Sequence, residues 1–561
     1  MREMNKPFLV GLVLLLPLAT AGCYEFDQAL AECEDAGRCT AGPGPGADGG
    51  DAGQPDAGDG GLPDAGDAGL PDAGDGGCAG NVDLPDDTGM DTNCDGIDGN
   101  ANAAIFLDSV NGNDDYLGTR DAPVRSLRKA LERAQGRGLF SIYVAEGIYP
   151  EPNLELTQPV SLYGGYSGKT PTNSWVRGRN AGSIEGGPIG LTVRGVRFTD
   201  GGTLVIDNMD ITAAPAVSPG SPSIGMRVVD SDGIRLRHVK VSAGSGAVGQ
   251  GGTMPGATPA SPGGQPGANG NSSGATMAIP GGDGGLILCN GSTLAGGRGG
   301  ASRPNENGES GTAGTPGNAL GGTAGLKGTT TCANGLCAGN GGNGQDGGVG
   351  GRGTAGGAGN NLGMLQGATW VALSAEPGGM GTVGTSGGGG GGGGFCSGAQ
   401  FGESPGGSGG GGGAGGCGGM GGPGGGGGGA SIGLLLVSGH VQLEHSSVKA
   451  GAGGKGGVGG MGGEGGPGGT GGLGGAGLLT NMCRGGDGGK GGNGGPGGKG
   501  GHGGTGSGGP SIGAWCDSSN TSSLTLIIDS RVEQGTGGPA GTSAEAPVAS
   551  QGQVHDVYGC Q

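Results

Sequence analysis

Long segments of this chain contain two glycines in every three residues, and that pattern limits what the chain can fold into. The most regular segments begin at Gly453, with Gly-Gly-Lys-Gly-Gly-Val-Gly-Gly-Met, and at Gly485, with Gly-Gly-Asp-Gly-Gly-Lys-Gly-Gly-Asn. Glycine supplies no side chain to a core and loses more backbone freedom on folding than any other residue. With 160 glycines among 561 residues, one conventional apolar core cannot order the whole chain.

A period of three matches a helix of the polyproline-II type, which has three residues per turn. Every third side chain then shares one ridge, as Lys490, Asn493 and Lys499 do, and two bare glycine ridges can bond to neighbouring backbones. We therefore predict ordered polyglycine-II-like layers. Collagen is one alternative, although Pro is scarce in these tracts. Disorder is the other, because fixing a residue costs about 1–2 kcal/mol and a net hydrogen bond returns about 1 kcal/mol.

Four apolar segments between the tracts share one plan, in which apolar residues alternate, a polar corner intervenes and alternation resumes. Three of them follow a Ser-Ile-Gly sequence, at Ser223, Ser431 and Ser511. Each segment predicts a pair of short strands that cannot bury its apolar face alone, whereas a stack of such pairs buries a continuous interior. We interpret the segments as successive coils of one β-helix. They begin at Leu204, Ile234, Val441 and Leu524.

Residues 104–166 show the pattern of an ordinary folded domain. Ala104-Ile-Phe-Leu predicts a strand and Asp108-Ser-Val-Asn-Gly-Asn-Asp a turn. Ser141-Ile-Tyr-Val-Ala-Glu-Gly-Ile-Tyr predicts a strand and turn, and Val160-Ser-Leu-Tyr-Gly-Gly-Tyr predicts another. The helix predicted after Pro123 has one apolar stripe, formed by Leu127, Ala130, Leu131 and Ala134. Over about sixty residues this order resembles the start of right-handed parallel β-helix proteins of the pectate-lyase-like superfamily. The resemblance implies a helix that covers the open end of the stack, and a mainly β fold: a right-handed parallel β-helix with glycine-rich polyglycine-II-like insertions.

The first residues predict export and a lipid anchor. Arg2 and Lys6 precede an apolar run over residues 8–18, which is too short to span a membrane. Cys23 follows Ala-Gly and resembles the lipobox of bacterial lipoproteins, although Thr20 replaces the usual Leu. The resemblance implies an acylated Cys23. Because the next residue is not Asp, it also implies the outer membrane and cell surface. The alternative is an ordinary signal peptide with Cys23 in a disulfide.

An acidic motif precedes the predicted β-helix. Asp91, Asn93, Asp95 and Asp98 surround Gly96 as in the first half of a calcium loop, without the usual Glu at position twelve. The stretch is similar to the Asp-x-Asn-Cys-Asp-Gly-x-Asp motif of myxobacterial secreted proteins, which implies metal binding. We predict calcium here because every ligand is a hard oxygen. The alternative is an Asx-rich turn closed by a Cys78–Cys94 disulfide.

Cysteine usage also fits an exported protein. Thirteen cysteines leave twelve, an even number, once Cys23 is acylated, which favours disulfides outside the cytoplasm. The sequence does not give the connectivity. Three pairs are close enough along the chain to bond locally: Cys33 with Cys39, Cys78 with Cys94, and Cys332 with Cys337.

These observations divide the chain into eight segments. Residues 1–22 are the signal peptide, 23–77 the anchored N-terminus and Asp/Ala/Gly/Pro linker, 78–102 the acidic motif, 103–242 the cap and first coils, 243–430 glycine-rich insertions, 431–450 one coil, 451–510 glycine triplets, and 511–561 the last coil and C-terminal cap.

A net charge of −20 argues against nucleic acid as a partner, since phosphate binding needs clustered Lys and Arg. We expect a structural or adhesive surface lipoprotein, whose partners would be the membrane, other surface proteins and extracellular polysaccharide. The tracts also resemble, in composition, the glycine-rich repeats of mycobacterial surface proteins.

The rival hypothesis is a calcium-dependent, polysaccharide-active β-helix enzyme, a lyase or hydrolase. We predict no catalytic residues, because His238 and His445 occupy one repeated coil position. Two aspartate pairs, Asp207 with Asp210 and Asp230 with Asp232, fall at coil corners, where turn chemistry alone favours Asp.

Overall fold

The computed structural model describes residues 83–561 apart from 173, 179, 253–261, 273–276, 329–335, 399–401, 518–520, 544 and 546. All described residues belong to the second of two compact units, Asp75–Gln561. The predicted signal peptide, Cys23, the linker, Cys33, Cys39, Cys78 and Cys332 lie outside the described residues. No helix within the described part has the length and apolar character needed to cross a membrane.

The described elements are one helix and twenty-five strands. Helix α1 spans Leu127–Arg137. The strands are β1 Ala104–Leu107, β2 Ser141–Ala145, β3 Gly147–Pro150, β4 Glu155–Leu156, β5 Ser161–Tyr166, β6 Gly182–Glu185, β7 Ile189–Arg194, β8 Leu204–Asp207, β9 Met209–Thr212, β10 Ser223–Arg237, β11 Lys240–Ser242, β12 Leu286–Cys289, β13 Ser292–Ala295, β14 Met364–Gln366, β15 Thr369–Val371, β16 Cys396–Gly398, β17 Gly402–Ser404, β18 Ser431–Glu444, β19 Ser447–Lys449, β20 Leu479–Thr480, β21 Cys483–Arg484, β22 Ser511–Cys516, β23 Ser523–Ile527, β24 Arg531–Glu533 and β25 Val554–Tyr558.

Two long parallel sheets contain seventeen of these strands, and the other eight form four antiparallel pairs, so the fold is mainly β, as predicted. The larger sheet runs β1-β2-β5-β8-β10-β18-β22-β25, with β7 beside β10, β4 beside β7, and β23 beside β18. The smaller sheet runs β24-β19-β11-β9-β6-β3. Apolar side chains of both sheets, such as Leu236 and Val448, form one buried core.

The four repeated segments are confirmed as neighbouring, in-register strand pairs. Ile234 pairs with Leu204 on one side and with Val441 on the other, and Val441 pairs with Leu524. The Ser-Ile-Gly sequences are in register as well, because Ser431 lies between Ser223 and Ser511. The chain therefore leaves one strand pair, passes through residues 243–430 or 451–510, and returns to the adjacent strand pair.

The glycine of Ser-Ile-Gly is required by the close approach of the two sheets. A Cβ on Gly433 would lie 2.6 Å from Val448 Cγ1, and one on Gly225 would lie 2.7 Å from Val241 Cγ1. The preceding serine is fully buried, and its hydroxyl bonds to the chain that leaves the coil. Ser431 Oγ, for example, donates to the Gly244 carbonyl at 2.7 Å.

Helix α1 packs where it was predicted, against β1 and β2 at the end of the larger sheet. Ser126 caps its N-terminus by accepting a hydrogen bond from Lys129 N, and Gly138 ends it in the left-handed conformation. Leu127, Ala130 and Ala134 of its apolar stripe are fully buried in the core, and Leu131 packs against the core while partly exposed.

The glycine tracts are joined by backbone hydrogen bonds that follow the triplet. In residues 485–510, Gly491 N donates to Gly472 O and Gly492 N donates to Gly388 O, both at 2.8 Å. The Lys490 carbonyl accepts from Gly344 N at 2.9 Å. Residues 485–510 therefore bond to several other tracts, and the same bonds recur three residues further along. Lys490 is exposed while Gly491 and Gly492 are buried, as the ridge prediction required.

Disulfides link distant parts of the chain. Cys289 bonds to Cys417, Cys337 to Cys396, and Cys516 to Cys560. The predicted local pairing of Cys332 with Cys337 was wrong, because the fold brings the Cys337 segment beside β16 rather than closing a short loop. Cys94 and Cys483 are also disulfide-bonded. Since Cys78 lies outside the described residues, its pairing with Cys94 stays a prediction.

Candidate binding cleft

A row of corner residues marks the edge where the larger sheet gives way to the smaller one. Asn208, His238, His445 and Asp529 each follow a strand of the larger sheet and precede one of the smaller sheet. All four adopt the left-handed backbone conformation, with φ between 46° and 52°. Asn, Asp and His are several-fold enriched in that conformation among non-glycine residues. The same turn therefore recurs in four neighbouring coils.

Backbone hydrogen bonds continue through these corners and stack them in register. Asn208 N donates to Arg237 O at 2.9 Å, and His238 N donates to Glu444 O at 3.1 Å. The imidazole rings of His238 and His445 stack in parallel, with centroids 5.1 Å apart and an interplanar angle of 4°. The corners thus form a ladder of side chains on the protein surface.

Carboxylates flank both stacked imidazoles. His238 Nδ1 lies 3.4 Å from Asp207 Oδ1 and 3.7 Å from Asp87 Oδ1. His445 Nδ1 lies 3.7 Å from Asp529 Oδ2. The side chain of Asp207 is fully buried beneath the ladder, whereas those of Asp87 and Asp529 are exposed.

A cleft of about 1150 Å³ runs over the corner ladder. Its lining is mostly polar and carries both signs of charge. The lining residues are Asp86, Asp87, Thr88, Gly89, Arg177, Gly178, Asn180, Ala181, Asn208, Asp210, His238, Lys240, His445, Ser446, Ser447, Asp529 and Arg531.

Two arginines join the cleft to residues 85–98 of the acidic motif. Arg177 Nη2 and Arg237 Nη2 both bond to Asp207 Oδ2. Arg177 Nη1 also contacts Asp98 Oδ2 at 3.2 Å and the Asp86 carbonyl. Arg237 Nη2 donates to the Pro85 carbonyl at 2.9 Å. This network holds residues 85–98 against one end of the ladder.

Burial and the arginines act in opposite directions on the carboxyls of this network. Burial disfavours the ionised form of Asp207, but its bonds to Arg237 and the charge of Arg177 outweigh burial and hold the pKa of that carboxyl below its ordinary value. At Asp98 burial prevails over Arg177 and raises the pKa. Asp207 is therefore the anionic centre of the network.

The acidic motif folds as a compact turn with its side-chain oxygens directed at backbone amides. Asp91 Oδ1 and Asn93 Oδ1 both accept from Asp95 N at 3.0 Å, and Asp95 Oδ2 accepts from Ala101 N at 2.8 Å. The Asp98 carboxylate does not join them, because it forms an ion pair with Arg177. Among the described residues, no group of three or more His, Cys, Asp or Glu side chains is placed to hold a metal ion. Calcium binding by Asp91, Asn93, Asp95 and Asp98 stays a prediction, with the Asp98 carboxylate paired to Arg177 in this structure.

The turn docks on an aromatic cluster at the first coils. Ile97 is buried against Phe106, Tyr143, Tyr166 and Trp175. Tyr166 Oη donates to the Asp98 carbonyl at 2.6 Å, and Tyr143 Oη accepts from Asn100 N at 2.7 Å. The motif is therefore a fixed part of the folded body.

Sequence reasoning placed some of these residues correctly and missed others. His238 and His445 share one repeated position, as predicted. Asp207 and Asp210 do not form a carboxylate pair, because Asp207 is buried against arginines while Asp210 lines the cleft. Arg177 was missed, since it lies in an irregular segment outside the repeat. Asp207 and Arg237 are register partners, and their opposite charges at one coil position were the available signal.

The parallel sheets and the corner ladder define a mainly β protein with a β-helix-like domain. The family described as "Protein of unknown function (DUF1565)", which is associated with parallel β-helix folds, matches residues 110–213. That segment contains the end helix, the first coils and Asp207.

No curated protein matches the chain. Two crystal structures of the GH136 lacto-N-biosidase from Eubacterium ramulus are similar to part of it. The selenomethionine derivative is 13% identical with a TM-score of 0.19, over 25% of this chain and 27% of that one. The native protein is 12% identical with a TM-score of 0.14, over 25% of this chain and 34% of that one. The chain spans no more than 34% of the length of that enzyme, and scores this low transfer neither fold nor function.

Proposed function

We propose that this protein is a structural or adhesive lipoprotein of the bacterial outer membrane, displayed at the cell surface. Its ordered body would be a right-handed parallel β-helix whose coils carry layers of polyglycine-II helices. The observation that carries the proposal is the backbone hydrogen-bond lattice of the glycine tracts. Because each triplet of residues 485–510 is bonded to several neighbouring tracts, the lattice would be stiff and would present rows of side chains outward.

The attachment would be a lipid on Cys23, with residues 24–77 as the spacer. We expect Cys23→Ser to abolish labelling by palmitate and to release the protein from the membrane fraction. Cys33→Ser is the matched control and should be labelled like the wild type. A Cys23→Ser protein that fractionates with the membrane as before, together with an unlabelled wild type, would remove the anchor from the proposal.

The adhesive surface would be the cleft over the corner ladder, and its ligand an extracellular polysaccharide. Sugar hydroxyls need hydrogen-bond donors and acceptors in one place, which Asn180, Asp210 and Ser447 offer. The stacked imidazoles of His238 and His445 add flat ring surface. Lys240 and Arg531 would favour glycans that carry carboxylates.

A polysaccharide-active enzyme is the second candidate, because the same cleft holds carboxylates beside imidazoles. A carbohydrate array probed with the full-length protein separates the two when binding and cleavage are both scored. The double variant His238→Asn/His445→Asn suits this test, since Asn208 shows that asparagine fits the corner. Binding that the variant loses, without cleavage by the wild type, supports adhesion. Cleavage that the variant loses supports the enzyme.

A further inference from the structure

Residues 453–477 and 485–510 lie side by side, running in opposite directions. Gly491 N donates to Gly472 O and Gly494 N donates to Gly469 O, both at 2.8 Å. The seam between these two tracts carries a row of backbone N–H groups on one side and a row of C=O groups on the other, and we call this seam the groove. Part of it is filled by a segment of the same chain, residues 534–543, which shows what kind of polypeptide the groove accepts.

The seated segment bonds to both walls of the groove. From one wall, Gly453 N and Gly456 N donate to the carbonyls of Thr536 and Pro539 at 2.8 and 2.9 Å. On the other wall, the carbonyls of Gly509 and Gly506 accept from the segment's own glycines, Gly538 and Gly541, at 2.9 and 2.8 Å. Each triplet of the seated segment thus accepts one hydrogen bond and donates one.

The same two rows of backbone groups continue beyond the seated segment without a protein partner among the described residues. On the first wall, residues 453–477, these groups include the N–H groups of Gly465, Gly468 and Gly474. On the second wall, residues 485–510, they include the carbonyls of Gly488, Gly494 and Gly497. All six glycines are partly exposed.

Two further N–H groups of the first row donate hydrogen bonds to side chains. Asn493 Oδ1 accepts from Gly471 N at 3.0 Å, and Asp487 Oδ1 accepts from Gly477 N at 2.8 Å. Hydrogen-bond acceptors that lie in the groove can therefore reach the N–H groups of this row. Because Asn493 lies on the second wall, its side chain crosses the open groove.

The seated segment also defines which residues the groove tolerates. A Cβ on Gly538 or Gly541 would come closer than 3.0 Å to a backbone carbonyl of the first wall, so the donating position must be glycine. Thr536, Pro539 and Thr542 point outward and are exposed. The rule is one obligatory glycine in three, with Pro, Thr or Ala acceptable between.

We propose that the open part of the groove binds an extended polypeptide of another molecule with glycine at every third residue, in the manner of residues 534–543. The repeat of the two walls is three residues, or roughly 9 Å in this conformation, so successive triplets of the ligand meet equivalent partners. Proline between the glycines favours the extended form before binding and lowers the entropy lost. The linker repeats of this chain have a period of eight and do not satisfy the rule.

Binding of a labelled (Pro-Ala-Gly)6 peptide to the full-length protein, followed by fluorescence anisotropy, tests the proposal. The control peptide (Pro-Ala-Ala)6 differs only at the obligatory position and should bind at least tenfold more weakly. Asn493→Ala frees the Gly471 N–H and should strengthen binding about fivefold, the effect of one net hydrogen bond. Asn493→Trp fills the groove and should weaken binding at least tenfold.

The control variant is Leu326→Trp, an exposed site on a tract that bonds to neither wall, and it should bind as the wild type does. Equal affinity for the two peptides overturns the proposal. So does unchanged binding by an Asn493→Trp protein that melts like the wild type. If Asn493→Trp does not fold, Asn493→Ala and the peptide pair still decide. Self-association without peptide binding would assign the groove to a second copy and overturn it as well.

Discussion

Replacing a tract glycine by valine should destabilise this protein far more than replacing the third residue of the same triplet. Gly492 N donates to Gly388 O at 2.8 Å, and a Cβ on Gly492 would come closer than 3.0 Å to the carbonyl of Gln345. A Cβ on Gly491 would meet the carbonyl of Gly411 in the same way. These obstacles are backbone atoms that cannot rotate aside, so two tracts must separate.

The size of the effect follows from what the separation disrupts. Overpacking costs about 1–3 kcal/mol, and each backbone hydrogen bond lost with it costs about 1 kcal/mol. Valine also restricts the unfolded chain, which offsets up to about 1 kcal/mol. We expect Gly491→Val and Gly492→Val each to lower the free energy of unfolding by about 2–4 kcal/mol. Asn493→Val should cost about 1 kcal/mol, because it loses only the bond from Gly471 N.

Thermal melts combined with amide hydrogen exchange provide the measurement. Lys490→Val is the matched control, since Lys490 is exposed on the same tract and its replacement should change stability by less than about 0.5 kcal/mol. The glycine variants should lose amide protection in residues 376–394 and 453–510 before the sheets do. Equal melting temperatures and equal exchange for Gly491→Val, Gly492→Val and Asn493→Val would refute the ordered lattice.

Three shorter predictions concern the rest of the body. Gly433→Ala should lower stability by about 1–3 kcal/mol through overpacking against Val448, whereas Gly187→Ala, whose Cβ would meet nothing closer than 3.9 Å, should be neutral in the same melts. Asp207 has a lowered pKa, so its contribution is complete above the unfolded value of about 3.9 and is lost as pH falls through the folded value; Asp207→Asn should flatten acid unfolding curves, while Asp98→Asn, at a carboxyl with a raised pKa, should not. Calorimetry with millimolar calcium should give weak heats that Asp91→Ala removes, and a wild type without heats would end the calcium hypothesis.

The paired strands could be predicted from the sequence because their pattern is local and repeated. Alternating apolar residues and Ser-Ile-Gly occur at the same places in successive segments, so the pairing of Ser223, Ser431 and Ser511 was implicit in their likeness. The triplet likewise implied a ridge of side chains. Both patterns can be seen in the sequence because a strand or a threefold helix places successive repeats of the chain in the same environment.

The contacts between tracts could not be predicted, because one glycine triplet looks like another. The sequence does not say that residues 339–345 lie beside residues 388–394, so it could not say that Cys337 pairs with Cys396. Arg177 was hidden for a related reason. It reaches Asp207 from an irregular segment, and only the folded chain brings the two together.

Disulfides should matter most in the glycine lattice, where the balance of free energy is narrow. Ordering a residue costs about 1–2 kcal/mol and one net hydrogen bond returns about 1 kcal/mol, so the lattice gains little beyond its cost. Cys289–Cys417 and Cys337–Cys396 close loops of 128 and 59 residues there. In the chain-entropy model each adds about 4–5 kcal/mol.

We therefore expect dithiothreitol to release amide protection in residues 279–430 while β10, β18 and β22 stay protected by their apolar core. Cys516→Ala/Cys560→Ala is the control, because that bond joins β22 to the end of the chain and leaves the tracts cross-linked. Its amides near β25 should exchange faster, with the tracts unchanged. Unchanged protection of the tracts on reduction would mean that hydrogen bonds and the coils hold the lattice, and that these cross-links add nothing to its order.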